Sequence, residues 1–446
     1  MNIMHIGLSG TLAAQAGLNM AARNTANLLT AGYTRQGVHL TSRVGGGVDA
    51  TSLVRFADQY KTQQKWASNV PYGRYGVTES HYKQLEGVMG LGDGSVKAAI
   101  DKFFGALSEV SSDATNSALR RQVIHAADGL AKSMNALQSA LRGQLDGARQ
   151  QSAATAQEIN ALAGSIADLN REIANASSAG ATPSELIDRR DEAIDRLSAL
   201  ADVRVVTRSN GAVDVDLASG LPLVSGSETA TLDVVAQPDG TFSLSLAFAD
   251  TTYPLDGTRI GGALGGLFEF VDHVLIPQTA AMRSLAGELA ERINAQLSAG
   301  YGMNGEPGKP LFDVDPVTGA LHVHAIAPDE LGFSADPAEP GNSVNLTKLI
   351  DLQRVRIDLP GFGEVALGDA YTTLVGKVGS QSQQNQTMLA MAADVRKQSE
   401  TAWLATSGVN MDEEAVNIAE FMQTYSANMK VISVANQLFD VTLASF

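Results

Sequence analysis

The chain contains no cysteine, which excludes disulfides, thiolate chemistry and cysteine-based metal sites. Aromatic residues make up 5% of it, few for a protein that builds a deep ligand pocket. Cations are scarce as well. Lys and Arg number 32 against 48 Asp and Glu, and the net charge of −16 argues against nucleic-acid binding, which needs a basic patch. No run of about 18 apolar residues occurs, so no membrane span is expected. No Lys or Arg precedes Arg23, and His5, Ser9, Thr11 and Gln15 break the apolar residues around them. A cleaved secretory signal is therefore not expected. These absences point to the cytoplasm, unless the protein leaves by a route without a cleaved signal.

What is present is helical periodicity at both ends. From Asn410 onward there is no Pro or Gly. Ile418, Phe421, Tyr425, Asn428, Ile432, Ala435, Phe439 and Thr442 step by three and four, and Val431, Val434, Leu438 and Val441 form a second stripe. This pattern predicts a helix with a coiled-coil seam and a second apolar flank. Asn410 is placed to cap it, and Asp412, Glu413 and Glu414 suit its positive end. In the first thirty residues Met4, Leu8, Leu12, Leu18, Ala22, Ala26 and Leu29 fall mostly on one face, while Ala13, Ala14, Ala16 and Ala21 keep the rest small. Burying an apolar side chain gives roughly 1.5–3 kcal/mol, and ordering each residue costs roughly 1–2 kcal/mol. A lone terminal helix with one stripe does not hold itself folded. The two ends are expected to pair antiparallel, with Leu8 to Leu12 near Leu438 to Phe439, and to be stable among copies of themselves.

Between the ends, 446 residues allow two to four domains. Turns and short extended pieces are read as far as Pro71, with helices near Tyr82 and from Val96 to Val110. A long stripe runs from Leu119 to Ile173, and Thr182-Pro183-Ser184-Glu185 signals a capped start to the next helix. Glu185 with Arg189, and Glu192 with Arg196, have ion-pair spacing on that helix. The period changes to two from Val203, with hairpin signals at Asn210-Gly211 and Asp239-Gly240. Helix returns from Leu264 to Leu297 and again from Asp369 to Thr406. The expected class is α+β and mostly helical: a terminal antiparallel coiled coil, a long-helix bundle and an inserted β-rich domain. Its expected parts are 1–75 with 407–446, then 76–202 with 258–300 and 359–406, then 203–257, and a loop-rich 301–358 packed on the bundle or the insert.

Chemistry is hard to place. His322-Val323-His324 near Asp313 and Asp315 is a weak zinc pattern, and Pro316 spoils any calcium loop. Asp188, Asp191 and Asp195 interleave with arginines and read as a solvated helix face. No catalytic, cofactor or metal site is expected.

One resemblance is specific. The stretch from Asn24 to Gln36, with Asn24, Asn27, Gly32, Tyr33 and Arg35, resembles the N-terminal signature of bacterial flagellar axial proteins, an Asn-rich helix running into Thr-Pro-Gly-Tyr-(Thr/Ser)-Arg. Ala31 stands where Pro is usual and Leu29 where Asn is usual. Phe103 to Leu107 with Leu119 to Val123, Leu186 to Asp191 with Leu197, and Ser407 to Ala415 with Tyr425, Lys430 to Ile432 and Leu438 to Asp440 are similar to the hook-associated protein 1 family of hook–filament junction proteins. The resemblance covers both ends and most helices, and is weakest over the β insert and Tyr301 to Pro360. It implies a structural subunit, not an enzyme, that forms a ring of copies between the flagellar hook protein and a second junction protein leading to flagellin. It implies export by the flagellar type III route to the cell exterior, after a cytoplasmic export chaperone has covered the C-terminal helix. Polymer contacts are then expected at Leu8, Leu12, Leu18, Ala22, Leu29, Ile418, Phe421, Tyr425, Ile432, Leu438 and Phe439. The alternatives are a sibling junction protein, a flagellin, or a secreted adhesin that binds a host receptor through the β insert.

Overall fold

The computed structural model describes residues 3–180, 182–237 and 240–445. The protein is α+β and mostly helical, with five small antiparallel sheets among the described residues. Helix α1 (Ile3–Ala26) is followed by the hairpin β1 (Gln36–Ser42) and β2 (Val48–Arg55). Then come α2 (Gln59–Val88), α3 (Val96–Val110), α4 (Ser117–Ser178) and α5 (Ser184–Leu200). The last two helices are α9 (Ala370–Ser407) and α10 (Met411–Ala444).

The turns and short extended pieces end at Asp58, not at Pro71. Asp58 accepts hydrogen bonds from the Tyr60 and Lys61 amides, and α2 runs straight through Pro71. Tertiary packing overrides the breakers: α2 lies against α5, α6 (Gly262–Phe270) and α9. A Cβ at Gly73 would strike the Ala199 carbonyl, so that glycine allows close approach. The domain boundary drawn at residue 75 thus falls inside a helix that belongs to the body. The start of α5 also differs. Its first helical residue is Ser184, and Pro183 caps it without a side-chain bond, so Thr182 is not the cap. Glu185 does pair with Arg189 at 3.1 Å, but Arg196 reaches Glu158 of α4 at 3.2 Å rather than Glu192.

The long stripe becomes one unbroken helix, α4, capped by Asn116. It is the spine of the body. Pairs α3–α4 and α4–α5 pack side by side. The helix read from Leu264 to Leu297 is broken by a π-turn at Val271–Leu275 before α7 (Ile276–Ser298). Pro277 lacks an N–H there, and the wider turn absorbs the lost bond.

The β insert holds two sheets. One orders β3 (Val203–Thr207), β4 (Val213–Leu217), β5 (Pro222–Ser225) and β6 (Glu228–Thr229). The other orders β7 (Thr231–Ala236), β8 (Phe242–Phe248) and β9 (Thr251–Leu255). Gly211 takes a φ of +85° in the first hairpin turn, while Asp239 of the second turn signal lies outside the described residues. Val213, Val215, Leu244 and Leu246 join the same buried cluster as Ile159 and Ile166 of α4, so insert and bundle share one core. Residues 301–358 pack on the bundle too. Strands β10 (Phe312–Val314) and β11 (Leu321–Val323) lie on α7 and α4, and α8 (Val344–Asp351) lies on α3 and α7. The hairpin β12 (Arg356–Leu359) and β13 (Gly363–Ala366) leads into α9.

Asparagines fasten strands to helices. Asn160 bonds both the amide and the carbonyl of Leu232, Asn135 those of Leu321, and Asn294 those of Phe312. Asn170 takes both groups of Val213 and the Gly226 carbonyl. A carboxamide offers one donor side and one acceptor side, so it stands in for a neighbouring strand.

Candidate functional site

Helices α1 and α10 pack together, apart from the main core, and run antiparallel. Gly7 lies against Ile432, Gly10 against Asn428 and Gly17 against Phe421. A Cβ at Gly7 would come 2.9 Å from Ile432 Cγ1, and at Gly10 or Gly17 it would overlap the partner side chain. The buried face of α1 is therefore mostly small: Gly7, Gly10, Thr11, Ala13, Ala14, Gly17, Met20, Ala21 and Asn24. This overturns two expectations about α1. Its leucines are not the pairing face, for Leu8 and Leu12 are exposed, Leu12 by 57%, with Ala22 exposed and Leu18 half-buried beside them, and Leu29, past the helix end, is exposed too. Nor do Leu8 and Leu12 meet Leu438 and Phe439. Leu438 lies ten residues past Asn428, about 15 Å along the helix. Glycine and alanine win the seam because they let the backbones approach, and the register follows from Asn428 and Phe421 seating over glycines.

On α10, Ile418, Phe421, Asn428, Ile432 and Ala435 are half-buried toward α1, and Tyr425 sits at the margin. The second flank, Val434, Leu438 and Val441, stays exposed, as does Phe439 at 64%. The pair thus presents two uncovered apolar strips, one on each helix. The β1–β2 hairpin lies along α1, where the Val48 amide donates to Ser9 Oγ at 3.2 Å and Gly46 rests on Ile6.

The flagellar-type motif forms the joint at the inner end of this pair. Asn24 donates to the Gln36 carbonyl (2.8 Å) and accepts from the Gln36 amide (3.1 Å) and the Tyr33 hydroxyl (2.8 Å). Burial pushes the Tyr33 phenol up. Gly32 takes φ +73°, with Glu192 of α5 only 3.2 Å from where a Cβ would stand. Asn27 is the outlier of the set: it bonds back to Arg23 and holds Thr30, within its own turn. Arg35 meets Glu413 at 2.6 Å, and its amide donates to the Ser407 carbonyl at 2.8 Å. Arg35 Nε also lies 2.8 Å from Oε1 of Glu414, an ion pair whose angle is not that of a hydrogen bond; Glu414 is 1% exposed. Asn410 caps α10 through the Asp412 amide at 2.9 Å. The acidic start of α10 thus holds Arg35 as well as suiting the helix end.

A 230 Å³ cavity between α2, α6 and α9 contains Arg74 and Glu269, paired at 2.5 Å. Burial raises the Glu269 acid more than Arg74 lowers it, and burial with the Glu269 charge takes Tyr82 to about 12. Asp315 is engaged by the Val317 and Thr318 amides. No group of three or more His, Asp or Glu placed to hold a metal occurs among the described residues. No helix among them is long and apolar enough to cross a membrane.

Comparison with known proteins identifies this arrangement. Residues 82–312, just over half of the chain, match the family model of the flagellar hook-associated protein FlgK helical domain. Residues 401–445 match that of the flagellar basal body rod FlgEFG protein C-terminal region. The flagellar hook-associated protein 1 of Escherichia coli K12 is 25% identical over 99% of both chains, and that of Bacillus subtilis 168 is 24% identical over 96% of this chain and 95% of its own. The structure of the flagellar hook junction protein FlgK from Burkholderia pseudomallei is 32% identical with a TM-score of 0.53, covering 57% of this chain and 47% of that one. The chain belongs to the family of flagellar hook-associated protein FlgK and is a structural protein of the flagellum.

Proposed function

We propose that the protein is the subunit that joins hook to filament, and that it works by assembly rather than by catalysis. The observation that carries this is the terminal pair: α1 and α10 cover each other along a narrow glycine seam and leave Leu8 and Leu12 on one helix, and Val434, Leu438 and Val441 on the other, uncovered. Apolar strips of this kind are buried when copies stand side by side. Copies of the chain form a ring through these strips, with the hook protein on one side and the second junction protein on the other. Before export to the cell exterior the same α10 flank is what a cytoplasmic chaperone covers. A deletion strain tests the role. It should be non-motile, build hooks without filaments and shed flagellin into the medium, and the intact gene should restore filaments. Normal filaments in the deletion strain would overturn the proposal.

A further inference from the structure

Two of the α5 aspartates that read as a solvated face are engaged at the joint, Asp188 buried and Asp191 half-buried, while Asp195 pairs with Lys65 of α2 at 3.2 Å. Arg55, at the end of β2, donates from Nε to Asp188 Oδ1 at 2.8 Å and from a terminal nitrogen to Asp191 Oδ2 at 2.8 Å. The same nitrogen reaches Thr34 Oγ1 at 3.0 Å, and the Thr34 amide donates to the other Asp188 oxygen at 3.2 Å. Asp191 is shared with Arg190, which donates onward to the Gly211 carbonyl in the β3–β4 turn at 2.7 Å. A line of bonds therefore runs from the terminal hairpin through α5 to the β insert. Burial still lifts the Asp188 acid, against the pull of Arg55 and Thr34.

The unit made of α1, the hairpin and α10 is joined to the body by two short links, Phe56–Asp58 and Gly408–Asn410. Two links leave rotation about the line between them. The Thr34 amide and Gly32 rest on α5, an element neither link belongs to, and Arg55 adds the ionic attachment there. We propose that Arg55, Asp188 and Asp191 are positioning residues that set the angle at which the terminal helix pair leaves the body, and that a copy needs this angle to enter the junction. The second half of the proposal rests on the junction role above.

The test uses the full chain. Spin labels on Ser52→Cys in the hairpin and Glu172→Cys on α4, both exposed, report the angle. The parent should give one narrow distance distribution. Arg55→Gln should broaden it at least twofold, and Arg55→Lys partly, because an ammonium cannot bridge two carboxylates as a guanidinium fork does. The exchange Arg55→Glu with Asp188→Arg should narrow it again, which a merely stabilising residue would not do. In cells, Arg55→Gln should be secreted normally, yet filaments per hook should fall at least tenfold. If Arg55→Gln fails to fold, Asp188→Asn with Asp191→Asn replaces it and keeps the side-chain shapes. Unchanged distances in the charge-removed variants would overturn the clamp. Broadened distances with full filament numbers would overturn the link from angle to assembly. Absence of the parent chain from the junction would count against the junction role, not against the clamp.

Discussion

Helical glycines in this protein predict opposite effects of one methyl group. Gly143 and Gly147 sit mid-α4 with open space around a built Cβ. Gly143→Ala and Gly147→Ala should each stabilise the body by about 0.5–1 kcal/mol, read in denaturant unfolding, because alanine loses less backbone entropy in a helix. Gly17→Ala gains the same entropy but drives a methyl into the Phe421 ring, and overpacking costs about 1–3 kcal/mol. It should loosen the terminal pair, seen as faster amide exchange in α1 and α10. Asp202 gives a pH signature. Burial alone lifts its acid above the ordinary carboxylate value. The stability such a group contributes is present at low pH and is lost as pH rises through the folded value. Asp202→Asn does not titrate, so its melting temperature should rise relative to the parent between about pH 4 and pH 7. At this scale the sequence is least readable. Asp188 looks solvated because its partner Arg55 is 133 positions away, and helical periodicity registers neighbours three and four apart.

Elements were more legible where one periodic stripe meets one neighbour. The seam of α10 reads directly from Ile418, Phe421 and Ile432, and the Asn410 cap from its spacing. The face of α1 does not, because apolar weight favours Leu8 and Leu12 while close approach favours Gly7, Gly10 and Gly17. The register gives a direct check. Cysteines at Gly10 and Asn428 should cross-link more readily than cysteines at Leu12 and Leu438. The reverse ranking would reject the pairing. Helix α2 was hidden by Pro71 and Gly73, both carried by tertiary packing. The asparagine anchors were silent too, since a carboxamide on a helix face carries no periodic signal. Asn170→Ala should destabilise the body by about 2–3 kcal/mol in denaturant unfolding, because it strands buried backbone groups of Val213 and Gly226.

For the whole molecule, the antiparallel meeting of the chain ends was legible because periodic helices open and close the sequence. That insert and bundle share one core was not, because strand period says nothing of what a sheet packs on. Two levels of stability follow from the layout, a continuous core in the body and a narrow seam in the terminal pair. Ile432→Asp places a carboxylate on that seam against Gly7, and an unpaired charge between helices costs several kcal/mol. The body should melt as in the parent, while cells build hooks that grow no filaments. Fractionation separates the causes: a variant trapped inside the cell fails at export, and a secreted variant fails at assembly. The central claim is that the uncovered strips of α1 and α10 are the contacts between copies. Electron cryo-microscopy of the hook–filament boundary in isolated flagella tests it most directly. The account predicts a ring of this chain in which Leu8 and Leu12 of α1, and Val434, Leu438 and Val441 of α10, are buried against neighbouring subunits. A ring joined through the β insert, with those five side chains facing solvent, would contradict it.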